Sequence, residues 1–213
     1  DIYAGATGSA ISQAAVLGQN IYFRASTQAA GSELWVSDGT AANTVLVKDI
    51  RSGTSSSSPA YLKAVGNRIY FSAADATTGA ELWVSDGTAA NTYRLGDIAP
   101  GTVASSPTNI TDMGGGLVLF SATEPILGRE VYATNGTAGD VRLLKDIRVG
   151  AKSGTPGVML LLDGRAYFQA TDDSGGSELW VTDGTSAGTT RLIDVRAGGA
   201  GSGASNIKDV VDH

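Results

Sequence analysis

Two residue types that are central to enzyme and metal chemistry are almost missing from this chain of 213 residues, which has no cysteine and one histidine, His213. Without cysteine there is no disulfide framework, no thiolate metal site and no cysteine nucleophile. Without an internal histidine there is no Ser-His-Asp triad, and an imidazole metal site is excluded in practice. These absences remove several large classes of enzymes and metalloproteins from consideration.

Positive charge is also scarce, with 15 Lys and Arg against 21 Asp and Glu and a net charge of -6. Since phosphate binding needs a basic stripe, the composition excludes nucleic acid as a partner. The longest purely apolar run, residues 158–162, is too short to span a bilayer, so we expect no membrane insertion. The chain opens at Asp1 without a secretory signal, which indicates a processed or excised segment.

What the chain has in abundance is glycine, at 29 residues, and internal repetition. The tetrapeptide Glu-Leu-Trp-Val begins at Glu33, Glu81 and Glu178, and a degenerate copy begins at Glu130, so the spacing is 48 or 49 residues. The chain therefore contains four units, at residues 3–50, 51–98, 99–147 and 148–195, and the piece 196–213 restarts a fifth. We place the extra residue of the third unit in the turn at 114–116.

Each unit predicts four short β-strands and no helix. In the second unit the alternating segment 61–65 precedes the turn Gly66-Asn67, and aromatic and β-branched residues follow at 68–73. Two more strands are predicted at 81–85 and 93–98. Both faces of the middle strands are apolar, so each sheet must be covered on both sides.

This pattern predicts an all-β fold, a β-propeller or a segment of one, built from four-stranded antiparallel blades of about 48 residues. A stacked β-solenoid is the alternative, but its coils usually carry only one or two strands each. The ring size stays open between four blades, an eight-blade ring shared by a homo-oligomer, and an excerpt of a longer array. Residues 205–211 repeat the first strand of the first unit, which argues against a simple four-blade closure.

The stretches 81–88 and 178–185 resemble the ELWxxDGT repeat of large secreted or surface proteins of bacteria. The resemblance recurs in phase in all four units and covers essentially the whole chain. The third unit departs from it, with Tyr132 in place of Trp and Asn135 in place of Asp. The resemblance implies a propeller-like module at an extracellular or cell-surface location, and it implies little about a ligand.

The Asp-Gly-Thr turns of the repeat start at Asp38, Asp86 and Asp183, with Asn135 in the third unit. We interpret these four residues as structural, because Asp or Asn accepts a hydrogen bond from the backbone two residues later. The alternative is a calcium ligand, but calcium prefers several clustered oxygens and no D-x-D-x-D-G loop is present. We therefore expect no metal and no cofactor, with calcium kept as the alternative.

Two recurring sets are candidate ligand-binding residues. The aromatic set is Trp35, Trp83, Tyr132 and Trp180, and the acidic set is Glu33, Glu81, Glu130 and Glu178. The aromatic residues either stack on sugar rings or pack between blades. The glutamates either line a central channel or bind a cation or the backbone at a strand start. Since four near-equal copies provide no asymmetric acid–base pair, we predict no enzymatic activity.

Two functions are compatible with these features. The first is an extracellular binding module for a glycan or a protein, because the hairpin loops at 27–30, 75–78, 124–127 and 172–175 differ while the framework repeats. The alternative is a structural spacer or self-assembly repeat of a large adhesin or matrix protein, which the low charge would suit.

Overall fold

The computed structural model describes Ile2 and residues 8–174 and 176–193. These residues form sixteen β-strands and no helix. None of them therefore belongs to a helix long and apolar enough to cross a bilayer. The predicted fifth unit at 196–213, the repeated strand at 205–211, Asp1 and His213 lie outside the described residues.

The strands form four antiparallel sheets of four strands each, which we call blades 1 to 4. Blade 1 contains β1 (Ser12–Leu17), β2 (Asn20–Thr27), β3 (Gly31–Ser37) and β4 (Val45–Lys48). Blade 2 contains β5 (Ala60–Val65), β6 (Arg68–Ala74), β7 (Ala80–Ser85) and β8 (Tyr93–Arg94). Blade 3 contains β9 (Thr108–Asp112), β10 (Val118–Glu124), β11 (Gly128–Thr134) and β12 (Arg142–Lys145). Blade 4 contains β13 (Leu160–Leu162), β14 (Arg165–Thr171), β15 (Ser177–Thr182) and β16 (Thr190–Ile193).

Within each blade, strands that follow one another in sequence are also neighbours in the sheet. Blades 1, 2 and 4 leave two residues between their first and second strands, whereas blade 3 leaves residues 113–117. Gly114, Gly115 and Gly116 all adopt positive φ there, at 81°, 61° and 85°. The longer turn of the third repeat thus depends on residues that tolerate the left-handed region.

The chain divides into two compact units. Among the described residues, unit 1 holds those up to Ile110 together with Thr137–Gly139, and unit 2 holds Thr111–Gly136 and those from Asp140 onward. Blades 1 and 2 belong to unit 1, and blade 4 belongs to unit 2. The boundary passes through β9, so most of blade 3 belongs to unit 2.

In unit 1, blades 1 and 2 pack face to face through one apolar core. The core residues include Tyr22, Leu34, Val47 and Ile50 from blade 1 and its link, and Ile69, Phe71, Ala73 and Trp83 from blade 2. Phe71 and Trp83 are cross-strand partners, so their rings leave the same face of the sheet. Burying side chains of this size stabilises the unit by roughly 1.5–3 kcal/mol each.

Unit 2 repeats this arrangement. Its core includes Leu119, Val131, Ala133, Leu144 and Ile147 from blade 3 and its link, and Ala166, Phe168, Ala170 and Trp180 from blade 4. We call the blade face at the repeat positions of Leu34 and Val47 the outgoing face, and the face at the positions of Phe71 and Trp83 the incoming face. In each unit, the outgoing face of one blade packs on the incoming face of the next.

The last strand of blade 2 is shorter than the sequence predicts. β8 ends at Arg94 instead of continuing to residue 98. The main-chain N–H groups of Ile98 and Ala99 donate to the carboxylate of Glu81, at 3.1 and 3.3 Å. Because these amides bind a side chain and not a neighbouring strand, the strand does not extend to residue 98.

Candidate functional site

The four repeated glutamates lie near the start of the third strand of each blade and are buried. A buried carboxylate is costly unless hydrogen-bond donors replace the lost water. For Glu33, Glu81 and Glu130 these donors include main-chain N–H groups of the segment that leads to the next blade. We call this arrangement the glutamate link.

The link in blade 1 uses both carboxylate oxygens of Glu33. The N–H groups of Ile50 and Ser57 donate to them at 3.1 and 2.8 Å, and the Ser57 hydroxyl donates as well. Glu81 makes the same contacts with Ser105, whose N–H lies at 3.2 Å and whose hydroxyl lies at 2.7 Å. In both cases a serine 24 residues after the glutamate supplies two donors.

The link in blade 3 lacks the hydroxyl, because Gly154 stands at the repeat position of the two serines. Glu130 accepts hydrogen bonds from the N–H groups of Ile147 at 3.0 Å, Arg148 at 3.4 Å and Gly154 at 2.6 Å. Burial raises the pKa of Glu130 to about 7, and the nearby charge of Asp146 adds to the rise. The ionised form is therefore less stable at Glu130 than at an ordinary exposed glutamate.

Burial also raises the pKa values of Glu33 and Glu81, but a serine hydroxyl opposes the rise at both. Of the two interpretations that the sequence left open, the geometry favours backbone binding at a strand start. Both oxygens of three glutamates are occupied by donors of the chain itself. The equal spacing of 24 residues between Glu and Ser was the sequence signal for this link, and sequence reasoning missed it.

The Asp-Gly-Thr turns hold their aspartates by local hydrogen bonds. Asp38 accepts from the N–H and hydroxyl of Thr40 at 2.9 and 2.7 Å and from the Asn43 amide at 2.6 Å. Asp86 repeats all three contacts, and Asp183 repeats those with its threonine. The threonine hydroxyl is the main cause that lowers the pKa of each aspartate.

Blade 3 exchanges the two polar residues of this turn. Asn135 stands at the repeat position of Asp38, and Asp140 stands at that of Asn43. The Asp140 carboxylate accepts a hydrogen bond from the N–H of Asn135 at 2.7 Å. The turn of blade 3 therefore has one carboxylate and one side-chain amide, as the turns of blades 1 and 2 do, but in exchanged positions. Across the described part of the chain, no three Asp, Glu or His side chains cluster as a metal site would need.

A pair of hydroxyl groups closes the same turns and was missed at the sequence level. Ser37 and Thr44 lie 2.7 Å apart, and Thr44 also donates to the carbonyl oxygen of Thr40 at 2.7 Å. The pairs Ser85–Thr92 and Thr182–Thr189 have the same separation. The signal was a Ser or Thr directly before Asp-Gly-Thr and a Thr four residues after its threonine.

Among the four repeated aromatic residues, Trp83, Tyr132 and Trp180 are buried. The Tyr132 ring stacks on Phe120 of its own blade, with ring centroids 5.8 Å apart. Trp35 is partly exposed and lines an open pocket of about 330 Å³ together with Ile2, Ala41 and Thr44. The structure therefore separates Trp35, which is accessible, from its three buried counterparts.

The loops between the second and third strands have anchored bases. In blade 2, Asp75 accepts from the N–H groups of Thr77 and Thr78 at 2.7 and 2.8 Å and pairs with Arg94 at 3.4 Å. In blade 4, Asp172 pairs with Arg191 at 3.2 Å and accepts from the Ser174 N–H at 2.9 Å. In blade 1, the Thr27 hydroxyl accepts from the N–H of Ala30 at 3.0 Å. In blade 3, the carbonyl oxygen of Glu124 accepts from the N–H of Leu127 at 3.2 Å.

Four-stranded antiparallel blades that pack outgoing face on incoming face define the class of the fold, a β-propeller or a segment of one. TolB from Acinetobacter baumannii is similar in structure, with a TM-score of 0.51 and 12% identity over 82% of this chain and 41% of that chain. An acylaminoacyl peptidase from Pyrococcus horikoshii gives a TM-score of 0.52 and 15% identity over 86% of this chain and 27% of that chain. A prolyl endopeptidase gives 0.50 and 12% identity over 84% of this chain and 25% of that chain.

At these identities the likeness shows the fold alone, and it confirms the predicted all-β propeller class. The chain spans between 25% and 41% of the length of these solved structures. No protein-family model matches the chain, and no curated protein sequence matches it.

Proposed function

We propose that the chain is a non-enzymatic β-propeller binding module of an extracellular or cell-surface bacterial protein, with a glycan or a protein as its ligand. The ligand contacts the loops between the second and third strands of the blades. The observation that carries this proposal is that these loops combine anchored bases with chemically different tips. The resemblance to the ELWxxDGT repeat supports the extracellular location.

The division between scaffold and loops supports this function. Most of the charged residues that recur between blades are used internally, since Glu33, Glu81 and Glu130 bind main-chain amides and the aspartates bind their own turns. Residues used in this way hold the blades in place but offer little to a partner. Recognition is therefore left to positions that differ between blades, as is common for loops on a rigid scaffold.

The loop tips present different groups to solvent. Gln28 is exposed in blade 1, Thr77 in blade 2, Ile126 in blade 3 and Asp173 in blade 4. Ile126 is 71% exposed, which is unusual for a large apolar side chain unless it has a partner. Because the anchored bases limit the freedom of the tips, binding would cost little additional ordering.

The non-enzymatic part of the proposal rests on the state of the acidic residues. Glu33, Glu81 and Glu130 are buried and bound to main-chain N–H groups, so none of them is positioned to exchange a proton with an external substrate. Asp38, Asp86 and Asp183 have lowered pKa values, which suit an acceptor and oppose a role as a general acid.

A glycan array, combined with a panel of extracellular matrix proteins, tests the proposal. We expect binding by the wild-type chain and a loss of at least tenfold in affinity for the variant Ile126→Ser. The matched control is Ala42→Ser with Ala89→Ser, which changes exposed tips of the Asp-Gly-Thr turns at the opposite end of the blades. Equal binding by both variants would show that the loops are not the ligand site.

The alternative function is a structural spacer or self-assembly repeat of a large adhesin or matrix protein. The specific observation in its favour is that apolar side chains are exposed on the incoming face of blade 1 and on the outgoing face of blade 4, among them Ile21 and Leu192. This function predicts no hit on the array or the protein panel, together with association of the chain with itself.

A further inference from the structure

Among the residues that the structure describes, none covers the apolar residues Leu192 and Ile193 on the outgoing face of blade 4, in contrast to the same face of the other blades. At one repeat position Val47, Leu95 and Leu144 are 5%, 1% and 4% exposed, whereas Leu192 is 52% exposed. At another position Leu34 is fully buried, and its counterpart Leu179 is partly exposed. Blade 4 therefore presents to solvent the apolar residues that earlier blades bury.

The incoming face of blade 1 is likewise partly exposed, as far as the described residues show. Ile21 is 40% exposed, whereas its counterparts Ile69, Val118 and Ala166 are fully buried. Trp35 is partly exposed on this face, while Trp83 and Trp180 are buried. The open pocket beside Trp35, Ala41 and Thr44 lies on this part of blade 1.

The packing inside unit 1 shows what fits such a face. The Tyr22 ring of blade 1 lies against the turn of blade 2, where a Cβ added at Gly87 would come within 2.2 Å of the tyrosine hydroxyl. Gly39 is the counterpart of Gly87 in blade 1, and a Cβ built there meets no atom of the described residues within 4 Å. Tyr167 is the counterpart of Tyr22 in blade 4 and is partly exposed. Among the described residues, Tyr167 therefore has no glycine turn facing it as Tyr22 has, and Gly39 has no tyrosine facing it as Gly87 has.

We propose that the outgoing face of blade 4 binds the incoming face of blade 1 of a second copy of this chain. Tyr167 of one copy lies over Gly39 of the other, and Leu179 and Leu192 cover Ile21 and Trp35. The contact continues an interface that the chain already makes twice, between blades 1 and 2 and between blades 3 and 4. Because each copy offers one face of each kind, the association is head to tail.

The composition of the outgoing face of blade 4 suits this partner. At the end of β4, Lys48 donates to the carbonyl oxygen of Thr92 in the next blade at 2.6 Å. Its counterpart in blade 4 is Ile193, which is 52% exposed. The proposed contact therefore replaces a charged group with an apolar one, and burial of Ile193 with Leu192 favours association through the hydrophobic effect.

Cross-linking of single-cysteine variants tests the proposal, and the absence of native cysteine removes background. Ala41→Cys and Tyr167→Cys are prepared as separate chains, mixed, and treated with a short bis-maleimide. We expect a covalent dimer that contains one chain of each variant. The matched control replaces Ala41→Cys with Ala89→Cys, at the same repeat position in blade 2, and should cross-link at least tenfold less.

The double variant that carries both cysteines distinguishes a second copy from the ends of one chain. A cross-link that forms within single chains at high dilution would overturn the proposal, since the two faces would then meet intramolecularly. Equal cross-linking of Ala41→Cys and Ala89→Cys would also overturn it. So would native mass spectra in which the wild-type chain stays monomeric over a 100-fold increase in concentration.

A charge on the exposed face gives an independent measurement. Leu192→Glu is expected to weaken association at least tenfold in sedimentation, because the carboxylate would have to be buried against apolar residues. Val149→Glu is the control, since Val149 is an exposed apolar residue of a link and not of either face. Both variants should keep the wild-type circular dichroism spectrum. Unchanged association of Leu192→Glu would overturn the proposal.

Discussion

The link from blade 1 to blade 2 and the link from blade 3 to blade 4 share one arrangement of hydrogen bonds but differ in one donor residue. Both hold a buried glutamate against main-chain N–H groups of the following segment. In unit 1 Ser57 adds a hydroxyl donor, and in unit 2 Gly154 adds none. Burial raises the pKa of both carboxyl groups, and the serine hydroxyl opposes that rise at Glu33 but is absent at Glu130.

The largest expected effect comes from removing a link altogether. In Glu81→Ala, four donors lose their acceptor, namely the N–H groups of Ile98, Ala99 and Ser105 and the Ser105 hydroxyl. Because a buried unsatisfied donor costs roughly 1–3 kcal/mol, we expect a loss of about 4 kcal/mol in the free energy of unfolding. Urea denaturation measures it, and Glu124→Ala, at the half-buried end of β10, is the control. A loss below that of the control would contradict the role of the link.

The second effect is a pH dependence that belongs to Glu130. Its pKa is about 7 in the folded chain against 4.5 for the ordinary side chain, so the folded chain holds the extra proton between these values. The stability of unit 2 therefore falls as the pH rises from about 4.5 to about 7 and then levels off. At about 1.4 kcal/mol per unit of pKa shift, the total is about 3.5 kcal/mol.

Urea denaturation of the wild-type chain and of Glu130→Gln at several pH values isolates this contribution. The difference in stability between the two chains should change across the window and be constant above it. Subtraction of the variant removes the titration of all other groups, including Glu33 and Glu81. A difference that does not vary with pH would show that Glu130 keeps an ordinary pKa.

The third prediction exchanges the two links. Ser57→Ala removes the hydroxyl and should cost about 1–2 kcal/mol and raise the pKa of Glu33 further. Gly154→Ser should lower the pKa of Glu130, although its new Cβ would lie 2.6 Å from the carboxylate, which must shift to accept the hydroxyl. Carbon NMR titration of the two carboxyl groups measures both changes. Ser52→Ala, at an exposed position of the same segment, is the control. A lower pKa at Glu33 or a higher pKa at Glu130 would refute the comparison.

The smallest effect concerns the exchanged turn of blade 3. Asp86→Asn alone should cost about 1 kcal/mol, because an amide cannot accept from both Thr88 and Asn91 as the carboxylate does. The double variant Asp86→Asn with Asn91→Asp reproduces the order of Asn135 and Asp140 and should regain most of that loss. Thermal unfolding of the single and double variants gives the coupling between the two positions. Additive losses would show that the exchange in blade 3 is accidental.

The alternating apolar residues and turn signals were sufficient to predict the four-stranded blades. The predicted strand 68–73 compares with β6 at Arg68–Ala74, and the turn at Gly66-Asn67 lies where expected. These features are local, since period-two alternation and turn residues depend on near neighbours. That β8 stops short of residue 98 could not be predicted in this way, because the Ile98 amide binds Glu81, which is distant in sequence.

Backbone conformation at the start of the blades was also beyond sequence reasoning. Ala10, Ser58, Ser106 and Thr155 occupy one repeat position and all have positive φ, between 46° and 52°. Alanine, serine and threonine rarely adopt this region, so their identities gave no indication of it. For the same reason, the candidate site could be predicted from the sequence only in part. The recurring Glu and Trp positions were visible in the sequence, but whether each side chain is buried depends on packing between blades.

The reach of the glutamate link has a practical consequence for dissecting the chain. A fragment that stops at residue 98, where the second sequence repeat ends, would separate Glu81 from Ala99 and Ser105 and leave a buried carboxylate with one of its four donors. A cut placed after residue 110 keeps the pair together and coincides with the border of unit 1. Truncated, transplanted or tandem versions of the chain should therefore be cut after the glutamate link, so that each blade keeps the segment whose amides bind its glutamate.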